Sequence, residues 1–158
     1  DSMRGVAEGL LVATRPLLTH SGTLIDNFSI RFHEGKAVEW QAEKGQRDLD
    51  LLIATDDGTA YIGECALVPF SSPINQSGLI YYGTIFDENA GCHFALGAGF
   101  NETVKGYEKM TLDELRALGV NDSTIHEDFV VGCADLEITG TTADGRTVPV
   151  FRKGEWCF

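Results

Sequence analysis

Phe28-Ser29-Ile30-Arg31-Phe32 alternates apolar and polar side chains, and Ala37-Val38-Glu39-Trp40 resumes this extended pattern after the connection His33-Glu34-Gly35-Lys36. Alternation with a period of two is typical of a strand that buries one face. Two such runs joined by a short connection that contains glycine predict a β-hairpin. This hairpin makes β structure the expected framework of the fold.

Strand-like runs recur along the rest of the chain, separated by residues that favour turns. These runs are residues 62–68, 79–86, 129–131, 136–139 and 148–151. An apolar stripe predicts a helix over residues 47–55, and the capping-box spacing of Thr111 and Glu114 predicts another over residues 112–118. The sequence therefore predicts an α+β fold: a β-rich, mostly antiparallel, barrel-like domain with two or three short helices.

Composition limits both the architecture and the partners. The 158 residues carry 12 Lys and Arg against 24 Asp and Glu, a formal net charge of -12. No composition shift or internal repeat divides the chain, so residues 1–158 are expected to form one domain. Nucleic acid and membranes are not expected as partners, because nucleic acid and anionic lipid attract clustered basic residues and no apolar run approaches the roughly 20 residues that span a bilayer.

The cysteines bear on the redox compartment of the protein, and the first residues bear on the extent of the chain. The four cysteines include no close pair and no paired spacing typical of structural zinc or redox motifs. Reduced thiols and a cytoplasmic protein are therefore expected, with disulfide pairing as the alternative in an oxidising compartment. The chain begins Asp1-Ser2-Met3, without Met at position 1, so we expect a piece of a longer protein.

The histidines are few enough to weigh one by one. His20 and His33 lie in predicted loop and turn segments and are interpreted as solvated surface residues. His126 and Asp128 are two apart, so they lie on one face if this segment is a strand, while Glu127 points away. An imidazole and a carboxylate on one face suit zinc, manganese or cobalt; a hydrogen-bonded structural pair at a strand edge is the alternative.

Two further residues are candidates for a polar site. His93 ends residues 86–93, a run dense in ligand-type and small side chains. Glu64 is a lone carboxylate inside an apolar strand, where a charged group is seldom buried without a partner or an ion. The alternative for Glu64 is the wet face of a half-exposed strand.

Four separated blocks then carry a family resemblance. They are Gly63-Glu64-x-Ala66-Leu67-Val68-Pro69, Ser72-Pro73-Ile74-x-Gln76-Ser77-Gly78, Phe86-Asp87-Glu88-Asn89-Ala90-x-Cys92-His93-x-Ala95-Leu96-Gly97, and Gly119-Val120-Asn121-Asp122-Ser123-x-Ile125-His126-x-Asp128-Phe129. Their order and types resemble the aminopeptidase T / aminopeptidase S (PepS-like) family of metallo-aminopeptidases. The resemblance runs nearly end to end and is more specific than any single motif.

The resemblance implies that this chain is the C-terminal catalytic domain of a longer, two-domain, homodimeric enzyme. It implies two divalent ions that act together to release N-terminal residues from peptide substrates. Zinc or cobalt is the first expectation for these ions, and manganese or magnesium is the second. The metal ligands that it implies are Glu64, His93, His126 and Asp128.

Two departures from the family's pattern bear on activity. The resemblance places a further glutamate ligand upstream of position 1, and a functional tyrosine where this sequence has Phe100, which cannot donate a hydrogen bond to an oxyanion. The chain on its own is therefore expected to have little or no activity. The alternatives are a catalytically incompetent fragment that serves as a structural, dimerisation or metal-binding module, and a single-metal hydrolase that acts on another amide.

Overall fold

The computed structural model describes residues 6–158. The strands of this part are β1 Gly9–Val12, β2 Leu17–Leu18, β3 Leu24–His33, β4 Lys36–Lys44, β5 Ile62–Ala66, β6 His93–Gly97, β7 His126–Val130, β8 Ile138–Thr141, β9 Thr147–Arg152 and β10 Glu155–Trp156. The α-helices are α1 Gln46–Ile53, α2 Pro73–Gln76, α3 Thr84–Asp87 and α4 Leu112–Ala117. Single 3-10 turns cover Glu88–Ala90, Asn101–Thr103 and Tyr107–Lys109.

The strands form three sheets, and every ladder is antiparallel. The first sheet is built on the predicted hairpin β3–β4, with β1 and β2 also paired to β3. The second has the order β5-β6-β7, and the third has the order β10-β9-β8. The predicted α+β class with mostly antiparallel strands is thus confirmed.

Backbone contacts link the first sheet to the second along both sides. Lys36 forms an isolated antiparallel bridge with Tyr61. At the other edge, the N–H of Thr14 donates to the carbonyl of Val130 at 2.9 Å. Within residues 6–158 the paired strands do not close into a ring, so the barrel-like form stays a prediction.

The core lies between the hairpin, α1 and one face of the β5-β6-β7 sheet. Phe28, Ile30 and Phe32 point inward from β3 and are nearly inaccessible to solvent, as their alternation predicts. The ring of Phe28 packs on Phe129 of β7 with centroids 5.6 Å apart. Because this face of the second sheet is committed to the core, its opposite face is available to polar side chains.

Both predicted helices are present. α1 buries Leu49 and two further apolar residues, and α4 begins with the predicted capping box. There the N–H of Thr111 donates to Glu114 at 2.7 Å, and the N–H of Glu114 donates to the Thr111 hydroxyl at 3.3 Å. The one-turn helices α2 and α3 bring the number in residues 6–158 to four, one more than expected. None of these helices is long and apolar enough to cross a membrane.

The strand predicted over residues 79–86 is wrong. Within this run only α3 is regular, and it begins at Thr84. The Asp87 carboxylate accepts hydrogen bonds from the N–H groups of Tyr81 at 2.9 Å and Gly83 at 3.1 Å, so these donors are not available to a ladder. Tyr82, between them, has φ 53°, outside the β region. Local capping therefore overrides the β propensity of the aromatic and branched residues.

Asp56 ties the turn before β5 to the segment before β7. One carboxylate oxygen accepts from the N–H and hydroxyl of Thr59, each at 2.9 Å, and the other from the N–H and hydroxyl of Thr124 at 2.8 and 2.7 Å. Burial raises the pKa of Asp56, but the hydrogen bonds from Thr124, Thr59 and Ser123 outweigh it and hold the pKa well below its usual value.

Asp56→Ala is expected to lower the free energy of unfolding at pH 7 by about 1.5–3 kcal/mol, because donors to a charged group lose their acceptor. A lowered carboxyl pKa stabilises above the unfolded pKa of about 3.9, and this stabilisation is lost as pH falls further. The advantage of wild type over the variant should therefore be smaller at pH 3 than at pH 7 in urea unfolding. Asp57→Ala, at an exposed neighbour, is the matched control. An equal advantage at both pH values would contradict the assignment.

Candidate metal centre

Three adjacent strands place the predicted ligands on one face of the second sheet. Glu64 of β5 is paired with Ala95 of β6, and Ala95 is paired with Asp128 of β7. Paired residues project to the same side of a sheet, as do residues two apart along a strand. His93 and His126 therefore share this side with the two carboxylates. We call these residues the four-residue cluster: Glu64, His93, His126 and Asp128.

Side-chain distances show how closely the cluster is drawn together. Nε2 of His93 is 3.3 Å from Oε1 of Glu64, and Nε2 of His126 is 3.5 Å from Oε2 of the same carboxylate. Nε2 of His126 is also 3.3 Å from Oδ1 of Asp128. Glu64, His93 and Asp128 each offer a ligand atom within 4.8 Å of the others. The Glu64 carboxylate thus lies between two imidazoles.

Backbone carbonyls set the orientation of both rings. Nδ1 of His93 lies 3.1 Å from the carbonyl oxygen of Gly91, and Nδ1 of His126 lies 2.7 Å from that of Ala98. A carbonyl only accepts, so Nδ1 carries the hydrogen and donates it. In a neutral ring, Nε2 then presents a lone pair to carboxylate oxygens. This arrangement is repulsive unless a cation lies between the two atoms.

The donor set fits a divalent metal ion. Imidazole nitrogens and carboxylate oxygens are ligands of zinc, manganese and cobalt. While Nε2 of His126 is unprotonated, the buried Oδ1 of Asp128 has no hydrogen-bond donor in the described part of the chain. In the metal-free protein a proton on Nε2 of His126 faces Asp128. Hydrogen bonding to Asp128 raises the pKa of His126 to about 9, although the ring is partly buried.

The sequence reasoning missed Glu88 as a neighbour of the cluster. Glu88 opens the 3-10 turn before β6, and it lines a small cavity together with Asp128. Burial raises the pKa of Glu88, and the negative charge of Asp128 raises it further. The polar run 86–93 indicated that a site residue could lie there. Only the short turns that fold this run back onto β7 show that the residue is Glu88.

The other predicted residues lie at the rim of the cluster or away from it. Phe100 is half exposed, and its ring centroid is 4.8 Å from that of His126, so an apolar ring stands where the resemblance expects a hydroxyl. His33 lies at the surface, 3.1 Å from Glu8. His20 is exposed as predicted, but it is bonded to Glu127, on the opposite face of β7, a contact that the sequence did not indicate.

Ala95 forms the floor of the cluster, since it is fully buried between Glu64 and Asp128. Ala95→Leu is expected to weaken zinc or cobalt binding at least about tenfold, because added carbons take up space between the ligands while leaving each of them in place. Calorimetric titration with each metal measures the effect, and a melting curve checks that the variant folds. Ala54→Leu, at the exposed end of α1, is the control. Unchanged affinity would show that Ala95 does not border the metal.

Comparisons with known proteins identify the family of this chain. Residues 3–156 match the family described as thermophilic metalloprotease (M29). Aminopeptidase AmpS of Bacillus subtilis (strain 168) is 44% identical over 151 residues, which are 96% of this chain and 37% of AmpS. Aminopeptidase T of Thermus thermophilus is 40% identical over 149 residues, which are 94% of this chain and 36% of that protein.

The solved structure of wild-type AmpT from Thermus thermophilus has the same fold. It aligns with a TM-score of 0.89 at 39% identity and covers 98% of this chain and 38% of its own. The chain thus spans a little over a third of the length of these relatives. The family resemblance noted in the sequence is confirmed, and the chain belongs to the thermophilic metalloprotease (M29) family.

Proposed function

We propose that this chain is the metal-binding, catalytic part of an aminopeptidase that releases N-terminal residues from peptides. One observation carries the proposal: the four-residue cluster brings two imidazole nitrogens and two carboxylates together on one face of the sheet, within the distances that metal ligands keep. The names of the relatives, aminopeptidases AmpS and T, supply the reaction. Family membership supports the use of a metal ion for it.

The full proposal includes two divalent ions, zinc or cobalt first, with manganese or magnesium as alternatives. It is supported by Glu64, whose two oxygens lie near different imidazoles, so that Glu64 would supply ligand atoms together with both His93 and His126. Glu88, beside Asp128, is a further carboxylate within reach of the same space. The three carboxylates would offset part of the positive charge of two divalent ions.

When bound, such ions lower the pKa of a water molecule and polarise the scissile carbonyl. The residues of the chain orient the ligands. The carbonyls of Gly91 and Ala98 hold the imidazoles in one tautomer and orientation, which preorganises the site. The ring of Phe100 packs against that of His126, with the centroids 4.8 Å apart.

We also propose how this chain fits into a longer protein, on the basis of the family resemblance. We place the chain as the C-terminal catalytic domain of a longer two-domain enzyme that is homodimeric and cytoplasmic. The length of AmpS, of which the matched residues are 37%, supports a longer protein. A second function, a metal-binding module without turnover, is favoured by one feature, the absence of a hydroxyl at Phe100.

Aminoacyl p-nitroanilides test the proposal in the 158-residue chain and in the longer gene product. We expect release of p-nitroaniline from leucine p-nitroanilide by the longer protein, only with added zinc or cobalt, and a far slower rate for the chain. The N-acetylated substrate is the matched control and should not be cleaved, since it lacks the α-ammonium group. Cleavage of both substrates at equal rates would refute an aminopeptidase. Metal binding without turnover in the longer protein would support the module instead.

A further inference from the structure

A second polar site lies on the opposite face of β7 from the four-residue cluster. There the side chain of Glu127 is only 2% exposed. Its Oε2 lies 2.9 Å from Nδ1 of His20. Its Oε1 is buried and has no hydrogen-bond partner among residues 6–158. A buried carboxylate oxygen without a donor costs free energy, so the structure leaves one strong acceptor to be satisfied.

Glu127 lines a cavity of about 620 Å³. Leu51 and Leu52 of α1, together with Ile125, supply an apolar wall. Asp48 adds a second carboxylate, and among residues 6–158 no lysine or arginine lines the cavity. The cavity therefore combines negative charge, a buried acceptor and an apolar surface, which together suit a ligand with a cationic head and an apolar body.

A metal ion fits this cavity poorly. Among residues 6–158 the group of three ligand-type side chains close enough to hold an ion is Glu64, His93 and Asp128, on the other face of the sheet. His20 and Glu127 have no third ligand of this kind within such a distance. An ammonium group needs less, because it carries its own donors and can bond to one carboxylate and to neighbouring hydroxyls.

The imidazole of His20 lies at the surface over the buried carboxylate of Glu127. Its side chain is 74% exposed, whereas Glu127 beneath it is buried. Because the ring is largely exposed, it has little packing to lose on turning into water, and a ligand that donates to Oε2 would replace the hydrogen bond that is lost. We propose that the cavity binds a primary ammonium group on an apolar body, with the ammonium taking the place of the imidazole on Oε2 of Glu127 and using a second N–H for the unpartnered Oε1. The α-amine of an apolar amino acid and a lysine side chain share this chemistry.

Calorimetric titration of the chain with n-hexylammonium chloride tests the proposal. We expect one site, with affinity at least about tenfold greater than for 1-hexanol, which has the same body without the charge. Glu127→Gln should reduce the affinity at least tenfold, whereas Glu108→Gln, at an exposed surface carboxylate, should leave it unchanged. Equal affinities for the amine and the alcohol, or no loss in Glu127→Gln, would overturn the proposal.

Two further variants cover the case in which Glu127→Gln does not fold. Leu51→Lys brings an ammonium group of the chain itself to the wall of the cavity and should weaken binding at least tenfold; Leu51 is 58% exposed, so folding should be unaffected. His20→Ala removes the imidazole and should tighten binding. Loss of binding in His20→Ala, or unchanged binding in Leu51→Lys, would contradict the model of displacement at Glu127.

The same titration separates this site from the proposed metal centre. Asp128→Asn should leave amine binding unchanged, so loss of binding in this variant alone would assign the amine to the four-residue cluster and overturn the inference. Leucinamide and Nα-acetyl-lysinamide distinguish the two sources of the ammonium group. Tighter binding of either one supports the site and identifies the source, and binding of neither contradicts it.

Discussion

Asp128→Ala is expected to abolish metal binding by this chain and peptidase activity in the longer protein. The variant removes a buried carboxylate whose Oδ1 lies 3.3 Å from Nε2 of His126 and has no hydrogen-bond partner among residues 6–158. Loss of partners that only support a ligand commonly costs 10–100-fold in affinity, so loss of a ligand should cost at least about 100-fold. Metal analysis after loading with zinc or cobalt and dialysis measures the effect, and His93→Ala should behave alike.

Thermal unfolding gives a second readout that does not depend on turnover. At a metal concentration 100 times Kd, binding stabilises by about 2.7 kcal/mol, which corresponds to a rise in Tm of about 5–10 °C for a domain of this size. Wild type should show this rise and lose it on chelation, and Asp128→Ala should show none. His33→Ala, at an exposed histidine outside the cluster, is the control and should behave as wild type. Unchanged metal content in both ligand variants would refute the assignment.

Gly97→Ala is expected to have the largest effect on the fold. Gly97 ends β6 opposite His126, with φ +95°, and a Cβ there would lie 2.0 Å from the carbonyl oxygen of Ile125. Only glycine tolerates both the backbone conformation and the close approach. The backbone of β7 would have to move away just where it carries His126. We expect a loss of at least about 4 kcal/mol in the free energy of unfolding.

Gly106→Ala separates strain from steric clash. Gly106 has φ +85°, but its Cβ would meet nothing within 4 Å. This control should lose only the roughly 1–2 kcal/mol of the left-handed conformation. Chemical unfolding of both variants measures the difference, and metal titration of Gly97→Ala reports whether His126 has been displaced. Similar losses in the two variants would show that the contact with Ile125 relaxes easily.

Local signals explain which parts of the fold were predictable. The β3–β4 hairpin has strict alternation, and α4 has a capping box formed by Thr111 and Glu114, so short-range chemistry alone identifies both. Residues 79–86 have equally strong β propensity but no strand partner. There the hydrogen bonds accepted by Asp87 decide the conformation, and propensity does not report them.

The candidate site also contains residues that the sequence identifies and one that only the structure identifies. The spacing of His126 and Asp128 places them on one face of any strand, and the family resemblance adds Glu64 and His93. Neither source identifies Glu88, because its approach to Asp128 depends on how two short turns fold back. The assignment of these residues as metal ligands stays a prediction that the variants above test.

By itself, the sequence determined the elements whose cause lies within a few residues: the hairpin, the two main helices and the pairing of faces along each strand. Only the tertiary structure decided what depends on contacts between distant segments. It set the register that places Ala95 between Glu64 and Asp128, and it buried Glu127 beneath His20. The physical reason is that periodicity and capping act through neighbouring backbone groups, whereas register and burial depend on which strands meet and on what each face excludes from water.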